Sequence, residues 1–436
     1  MTTPKLNRHI GLFALVVYGV GDILGAGIYA LIGKAAGEMG NAIWMAFLAS
    51  MVAAGLTGLS YASLGSRYPR AGGASFFTHH AFKSNFLAYV VGLAALSSGV
   101  TSMAAGSRAF AGYFSSLVSS VPVDLVVVAF CFVVAGVVIR GIRESMWMNM
   151  LCTGIELCGL LLVIVVGWKF LGSVDYTSAV TVTNPAGDLT VSLILTGAVL
   201  TFYSFVGFED IINVSEEVKN PESNMPKAIL LAVLIASIVY VTISIVAVSV
   251  IPAAELAASS APLVDVVKRA APWFPPILFA FIAMFAVANT ALLNFIMGSR
   301  LIYGMANQGL IPKVLAKVNR RRTPYVASIA VLGFMLVLAL TGNIGSLARA
   351  TSVLLLICFM AVNLSLVVLK HRKGEPKGRF EIPYVIPVLG ALVCALMLSH
   401  AKLEEFKVAG AILAVIVILY FVIRPNSDAI KRGLEE

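Results

Sequence analysis

Charged side chains make up only 12% of the 436 residues, against 59% that are hydrophobic. So little charge excludes a soluble protein of this length, which could not hide that much apolar surface, and leaves an integral membrane protein. Five cysteines, Cys131, Cys152, Cys158, Cys358 and Cys394, all fall inside apolar runs and show no metal-ligand spacing. A GxxxxGKS or GxxxxGKT loop is missing, which excludes an ATP-driven engine in this chain. No nucleophile can be matched with a base partner and no metal cluster can be assembled, so neither an enzyme nor a cofactor is expected. The short alternating strands of an outer-membrane barrel are absent too. The opening MTTPKLNRH has no small-residue cleavage site and reads as a retained tail rather than a signal peptide.

What the chain has instead is a series of long apolar runs. At about 20 apolar residues per crossing they predict twelve membrane helices, near 11–36, 41–65, 84–115, 122–140, 145–170, 189–213, 227–251, 275–303, 325–341, 346–369, 382–400 and 408–423. With the N-terminus inside, 23 of the 31 Lys and Arg fall on inner segments and helix ends. The positive-inside rule then puts both termini in the cytoplasm, at the cytoplasmic (inner) membrane. The net charge of +10 is thereby explained by topology and contact with the lipid bilayer, and nucleic acid need not be invoked. The connection at 252–273 has an apolar stripe at helical spacing and reads either as a lid or as an interfacial helix.

Four ionisable residues stand out within the spans. Asp22 lies 14 residues after Arg8 and 12 before Lys34, and Glu156 lies 13 from both Arg143 and Lys169. Both are therefore near the midplane, where an ionisable group is costly enough to suggest function. If they face each other they can share a proton, cage a cation such as Na⁺, or pair with separate donors; the alternative is a structural hydrogen bond for each. Arg108 and Arg349 lie 25 and 21 residues from Lys83 and Lys370, nearer the outer boundary. There they read as snorkelling side chains or as an outer vestibule or gate that meets an acidic group.

Two spans are disturbed. The first holds GVGDILGAGIY, residues 19–29, where glycines cluster at Gly25 and Gly27 and make a local break plausible. A break in hydrocarbon is tolerable only where freed backbone groups line a cavity or meet a ligand. A half-helix restarting near Ile28 offers amide N–H groups and a positive dipole end to a carboxylate; close packing of small residues is the plainer reading. The sixth span holds FYSFVGFEDIINVSEEVKNP, where Ser204, Gly207, Glu209 and Asp210 interrupt apolarity. Freed carbonyls there suit an ammonium group, and Glu209 joins Arg108 and Arg349 as a gating or vestibule residue. Disturbed spans one and six are the pattern of a five-plus-five inverted repeat with its substrate at the midplane. The expected organisation is a first repeat over 1–170, a second over 171–369, and two peripheral helices with a tail over 370–436.

GAGIY at 25–29, YPRAGG at 68–73, GIRES at 141–145, GFEDIINVSEEVKNP at 207–221, MPKAI at 225–229 and SRLIYGMANQGLIPK at 299–313 together resemble bacterial members of the amino acid-polyamine-organocation superfamily. The resemblance implies the all-α leucine-transporter fold and secondary transport of amino acids or amines by alternating access. It implies that the backbone at Gly25, Ala26 and Gly27, and next to them Ile28, binds the substrate carboxylate. The carbonyls around Phe202, Tyr203, Phe205 and Gly207 then bind the amino group, with Phe202 or Phe205 closing the outer side. Ser98 and Ser102 on span three and Asn289 and Thr290 on span eight complete the pocket and any cation site.

There are two departures from the pattern. In cationic amino acid carriers with a motif like NNxxTxxKL, span five carries a lysine in place of a sodium ion; here the stretch is NMLCTGIEL and Glu156 stands at the lysine position. Asp22 likewise stands where relatives show a small or hydroxylated residue. The expectation is an H⁺-coupled symporter with Glu156, coupled to Asp22, as the protonation site. The alternatives are Na⁺ held near Asp22, Glu156 and Thr290, an amino acid or polyamine exchanger, and a non-transporting sensor.

Overall fold

The computed structural model describes residues 10–69, 73–140, 145–307, 309–319 and 323–423. The two ends of the chain lie outside the described residues, as do parts of the YPRAGG, GIRES and SRLIYGMANQGLIPK motifs and the basic residues Lys5, Arg8, Arg70, Arg143, Arg320, Arg321, Arg322, Arg424, Lys431 and Arg432.

The regular structure of the described residues is helical, with sixteen α-helices and short 3₁₀ stretches. They are α1 (Leu12–Leu24), α2 (Ala26–Met39), α3 (Ile43–Arg67), α4 (Gly73–Phe82), α5 (Asn85–Leu117), α6 (Val123–Arg140), α7 (Ser145–Gly167) and α8 (Val191–Thr201) in the first half. The second half holds α9 (Pro221–Val250), α10 (Ala253–Ala258), α11 (Pro262–Ala270), α12 (Pro276–Asn307), α13 (Tyr325–Thr341), α14 (Ile344–His371), α15 (Val385–Ser399) and α16 (Leu403–Ile423). Nine helical stretches among the described residues are long and apolar enough to cross a membrane; the first, Leu12–Arg67, is 56 residues and holds two crossings. The shorter apolar helices α13 and α15 complete the twelve predicted spans. The protein is a multi-pass membrane protein.

Hydrophobic periodicity does not orient these helices, because most are apolar on every side. Packing of small residues and polar side chains sets their neighbours instead. Spans two and seven (α3 on α9) pack along their lengths, as do spans three and eight (α5 on α12). Spans one and six meet through their breaks, α2 against the 3₁₀ stretch Phe202–Phe205. Helices five places apart in the chain are thus neighbours in space. The connection after span seven forms α10 and α11; α10 rests on α2, Leu256 and Leu263 are fully buried, and Arg269 bonds Glu255 at 2.8 Å.

The end of the bundle that carries Arg67, Arg140 and Lys370 is the basic end. There the loop after α14 clamps α3 and α4. Glu381 accepts from Arg67 Nε (2.8 Å), Lys370 Nζ (3.0 Å) and Gly378 N–H (2.9 Å). Glu375 meets Tyr68 Oη (2.6 Å), His80 Nε2 (3.1 Å) and Arg372 Nη1 (3.1 Å). Burial pushes each carboxyl up, but the donors around it outweigh burial and bring both down to about 2. A carboxylate lowered on folding stabilises the fold above its unfolded value and loses that contribution as pH falls toward 2. Glu381→Gln is therefore expected to lower the melting temperature at neutral pH and to match wild type at the acid limit. Melting curves across pH check this, and a pH-independent difference would refute it.

Candidate functional site at the two helix breaks

The first break is one residue long. α1 ends at Leu24, Gly25 takes ψ −117°, and α2 begins at Ala26, two residues before the restart expected near Ile28. The helix resumes early because the N–H of Ala26, freed at the break and buried, finds a partner at once, Thr290 Oγ1 of α12 at 3.1 Å. Only glycine fits at the break: a Cβ on Gly25 would overlap Thr290 Oγ1, and one on Gly27 would overlap Ser204 Cα. Ile28 is fully buried in the first turn of α2.

The second break is longer. α8 gives way to a 3₁₀ stretch at Phe202–Phe205, then Gly207 turns the chain at φ +126°, and a second 3₁₀ stretch runs over Phe208–Glu217. That positive φ favours glycine, and a Cβ there would also press on the Asp22 carbonyl carbon at 2.9 Å. The two breaks therefore touch twice, at Gly27 with Ser204 and at Asp22 with Gly207.

Tyr240 of α9 ties the breaks together. Its hydroxyl lies within hydrogen-bond reach of Ile23 O, freed at the end of α1, and of Ser204 O at 2.7 Å. Phe205 stacks edge-on against this ring, with centroids 5.2 Å apart. Phe202 lies edge-on to Phe359 at 5.7 Å, in a cluster with Tyr61 and Phe208. Tyr203 donates from Oη to Ser102 O at 3.1 Å, and Ser102 Oγ lies 3.2 Å from that hydroxyl.

Glu156 of α7 is fully buried, and neither carboxylate oxygen has a hydrogen-bond partner. Its backbone carbonyl accepts from Tyr29 Oη at 3.0 Å, which fixes α7 against α2. One turn before it, Thr153 Oγ1 donates to Asn149 Oδ1 at 3.2 Å, and Asn289 Nδ2 reaches the same oxygen at 3.0 Å. Asn289 thus faces α7, whereas Thr290 faces the first break. Asp22 is 1% exposed, and its carboxyl meets that of Asp210 in span six. Glu209 of span six and Glu156 of α7 are its further charged neighbours.

Glu209 and Asp210 line a cavity on the basic-end side of the breaks, together with Ser98, Tyr61, Asn213 and Asn294. Gly207 N–H donates to Glu209 Oε2 at 3.0 Å. The two arginines lie elsewhere. Arg108 donates to Ala339 O and Leu340 O at the end of α13 and pairs with Asp124 at 3.2 Å. Arg349 of α14 joins Glu38 of α2 to Glu405 of α16, the latter at 2.7 Å, and Lys402 Nζ reaches Glu38 at 3.1 Å. These networks lie at the end opposite the basic one.

Sequence reasoning missed Tyr240, Glu38 and Glu405. The signal for Tyr240 is faint, a polar stripe Ser237, Tyr240 and Ser244 in one otherwise apolar run. Glu38 and Glu405 fall at span ends, where a carboxylate attracts no notice until its partner is known.

Two broken helices that touch inside a twelve-span bundle, their freed N–H and carbonyl groups met by Thr290 and Tyr240, define a membrane transporter. The amino acid permease family matches residues 10–426, and the chain belongs to it. It is 27% identical to the branched-chain amino acid permease BcaP of Bacillus subtilis, over 95% of this chain and 93% of that one. It is 31% identical to cationic amino acid transporter 4 of Mus musculus, over 85% of this chain and 61% of that one. It is 24% identical to the methylthioribose transporter of Bacillus subtilis, over 90% and 88% of the two chains.

Proposed function

We propose that this permease moves amino acids across the cytoplasmic membrane by alternating access, as an H⁺-coupled symporter with Glu156 as its protonation site. The observation that carries the reading is the Glu156 carboxyl, fully buried within a span and without a hydrogen-bond partner. A carboxylate so placed must take up a proton or a cation, because an isolated charge in that environment is too costly. The breaks bear on the substrate's needs: beyond Ala26, which bonds Thr290, the N–H groups of Gly27 and Ile28 in the first turn of α2 suit its carboxylate, and the carbonyls around Phe202 and Phe205 suit its amino group. The names of the relatives, branched-chain and cationic amino acid carriers among them, support the same substrate class.

The distribution of Lys and Arg puts the basic end and both termini in the cytoplasm. On that orientation the Arg349 network closes the outer side and the cavity at Glu209 and Asp210 lies on the inner side. Alternating access is then a rocking of the repeats 1–170 and 171–369 about the paired breaks, with 370–436 as a peripheral support. A proton taken up from outside neutralises Glu156 and favours closure over the substrate; its loss to the cytoplasm follows substrate release.

In proteoliposomes, Glu156→Gln is expected to keep amino acid exchange and to lose pH-driven accumulation by roughly tenfold or more. Leucine and lysine serve as probes, each under imposed pH and Na⁺ gradients. Undiminished uphill uptake in the variant removes Glu156 from the coupling. Uptake that follows Na⁺ alone makes the protein a Na⁺ symporter, and flux only against internal amino acid makes it an exchanger.

A further inference from the structure

The cavity beside the second break is walled in part by α4, a helix that neither the break geometry nor the coupling uses. Gly73, Ala74 and Ser75 at its start line the cavity, with Tyr61 of α3 and Cys358 of α14 among the residues around them. The helix has ten residues and is roughly 15 Å long by the rise of an α-helix, so its other end forms a separate corner with α5. Left-handed backbone bounds it on both sides: Gly73 has φ +50°, and Lys83, just past the last turn, has φ +52°. A lysine in that region is uncommon and persists only where its surroundings hold it in shape. Junctions of this kind let a rigid element turn, because one or two residues absorb the change in φ and ψ.

What holds the Lys83 corner is the loop at 372–381, almost three hundred positions away. Arg372 donates from Nη1 to His80 O at 2.9 Å and from Nη2 to Ala81 O at 2.6 Å, carbonyls at the end of α4 that lie beyond the reach of its own N–H groups. A cation there is favoured by the helix dipole as well as by the bonds. The same guanidinium reaches Glu375 Oε1 at 3.1 Å, and Glu375 Oε2 meets His80 Nε2 at 3.1 Å and Tyr68 Oη at 2.6 Å. The loop is anchored in turn on α3 and α14, through Phe380 N–H to Ser66 Oγ at 3.0 Å and through Glu381 to Arg67 and Lys370. The cavity end of α4 is held more lightly. Phe77 packs edge-on to Tyr61 with centroids 6.2 Å apart, and Ser75 Oγ donates to Ala88 O at 2.8 Å.

We propose that α4 is a lid on the cavity, turning at the Lys83 corner, and that Arg372 is the latch that fixes that corner. A small rotation there is carried along the length of α4 to Gly73, Ala74 and Ser75 and opens the cavity toward the basic end. Arg372 is a positioning residue in this scheme, since it acts through α4 and touches neither the breaks nor the cavity. The inference rests on the transport reading only for what passes the lid.

Cys358 supplies the reporter, because it lines the cavity and is fully buried, whereas Cys131 and Cys394 are as buried but do not line it. Maleimide labelling of the purified full-length protein in detergent, followed at each cysteine by peptide mass spectrometry, reads the opening. Arg372→Ala is expected to speed labelling of Cys358 about tenfold or more, since losing charged hydrogen bonds raises the open population. Cys131 and Cys394 are expected to keep their wild-type rates. Arg372→Lys retains the charge without the fork that bonds both carbonyls, and falls between. Glu375→Gln loosens the same corner and gives the second reading where Arg372→Ala yields no single gel-filtration peak. Cys358 labelling that neither Arg372→Ala nor Glu375→Gln changes overturns the proposal. Equal acceleration at Cys131 and Cys394 overturns it too, because it marks general loosening of the fold. No substrate or ion gradient enters the measurement, so a failure of Glu156 coupling in proteoliposomes leaves the lid standing, and a failed lid leaves the coupling standing.

Discussion

Gly25→Ala is expected to abolish transport, with uptake falling to about one hundredth of wild type or below. The added methyl overlaps Thr290 Oγ1 and comes within 2.9 Å of Thr290 Cβ and 3.1 Å of Ala286 O. Overpacking of this kind costs about 1–3 kcal/mol, and the break can relieve it only by parting from α12. That movement separates Ala26 N–H from its Thr290 partner, and with it the geometry that presents α2 to a carboxylate. Gly27→Ala reaches the same end by a different route, because its methyl overlaps the backbone of Ser204. The two differ in what can rescue them. Thr290→Gly removes the obstructing side chain and is expected to restore part of the uptake of Gly25→Ala. Ser204→Gly leaves the Cα in place and restores none to Gly27→Ala. Uptake in proteoliposomes, normalised to reconstituted protein, reads all four; a Gly25→Ala protein that transports like wild type would mean the break is not where substrate binds.

The twelve spans were legible because length in membrane is enforced by the bilayer: α13 and the predicted 325–341 coincide, and most other limits agree within a few residues. The helix breaks were legible for a related reason, since glycines and carboxylates inside hydrocarbon have few structural uses. What could not be read was direction around each helix axis. Counting from flanking charges placed Asp22 and Glu156 at one depth and suggested a pair, yet depth says nothing of azimuth. In the fold α1 packs on α7, with Gly21 against Thr153, the Asp22 backbone meets the turn at Gly207, and the Glu156 backbone carbonyl accepts from Tyr29. Long-range partners were hidden in the same way. Thr290 caps an N–H 264 positions away, and Arg349 bonds Glu38 across 311. Tyr240 bridges two breaks from the middle of an otherwise largely apolar run.

Arg349→Ala is expected to produce the largest loss of stability among substitutions away from the breaks. Its guanidinium reaches Glu405, whose side chain is only 3% exposed, and Glu38, at 22%. Removing one partner from a buried pair costs about 3–5 kcal/mol because the charge left behind has lost its compensation. The expected value is toward the lower end, since Lys402 keeps a bond to each acid, Nζ to Glu38 at 3.1 Å and N–H to Glu405 at 2.9 Å. Arg349→Lys retains charge but not the planar fork that spans two carboxylates, so it falls between wild type and alanine. Adding Glu405→Gln to Arg349→Ala removes the stranded charge and is expected to recover part of the melting temperature. The helix ends joined here are α2, α14 and α16, so loosening the network frees the half-helix of span one that follows the break. High salt discriminates further: an exposed pair is screened, whereas one as enclosed as Arg349 with Glu405 is not. A melting-temperature difference that vanishes in high salt, or a double variant no more stable than Arg349→Ala, would show that this network is surface decoration and not a structural tie across the end opposite the basic one.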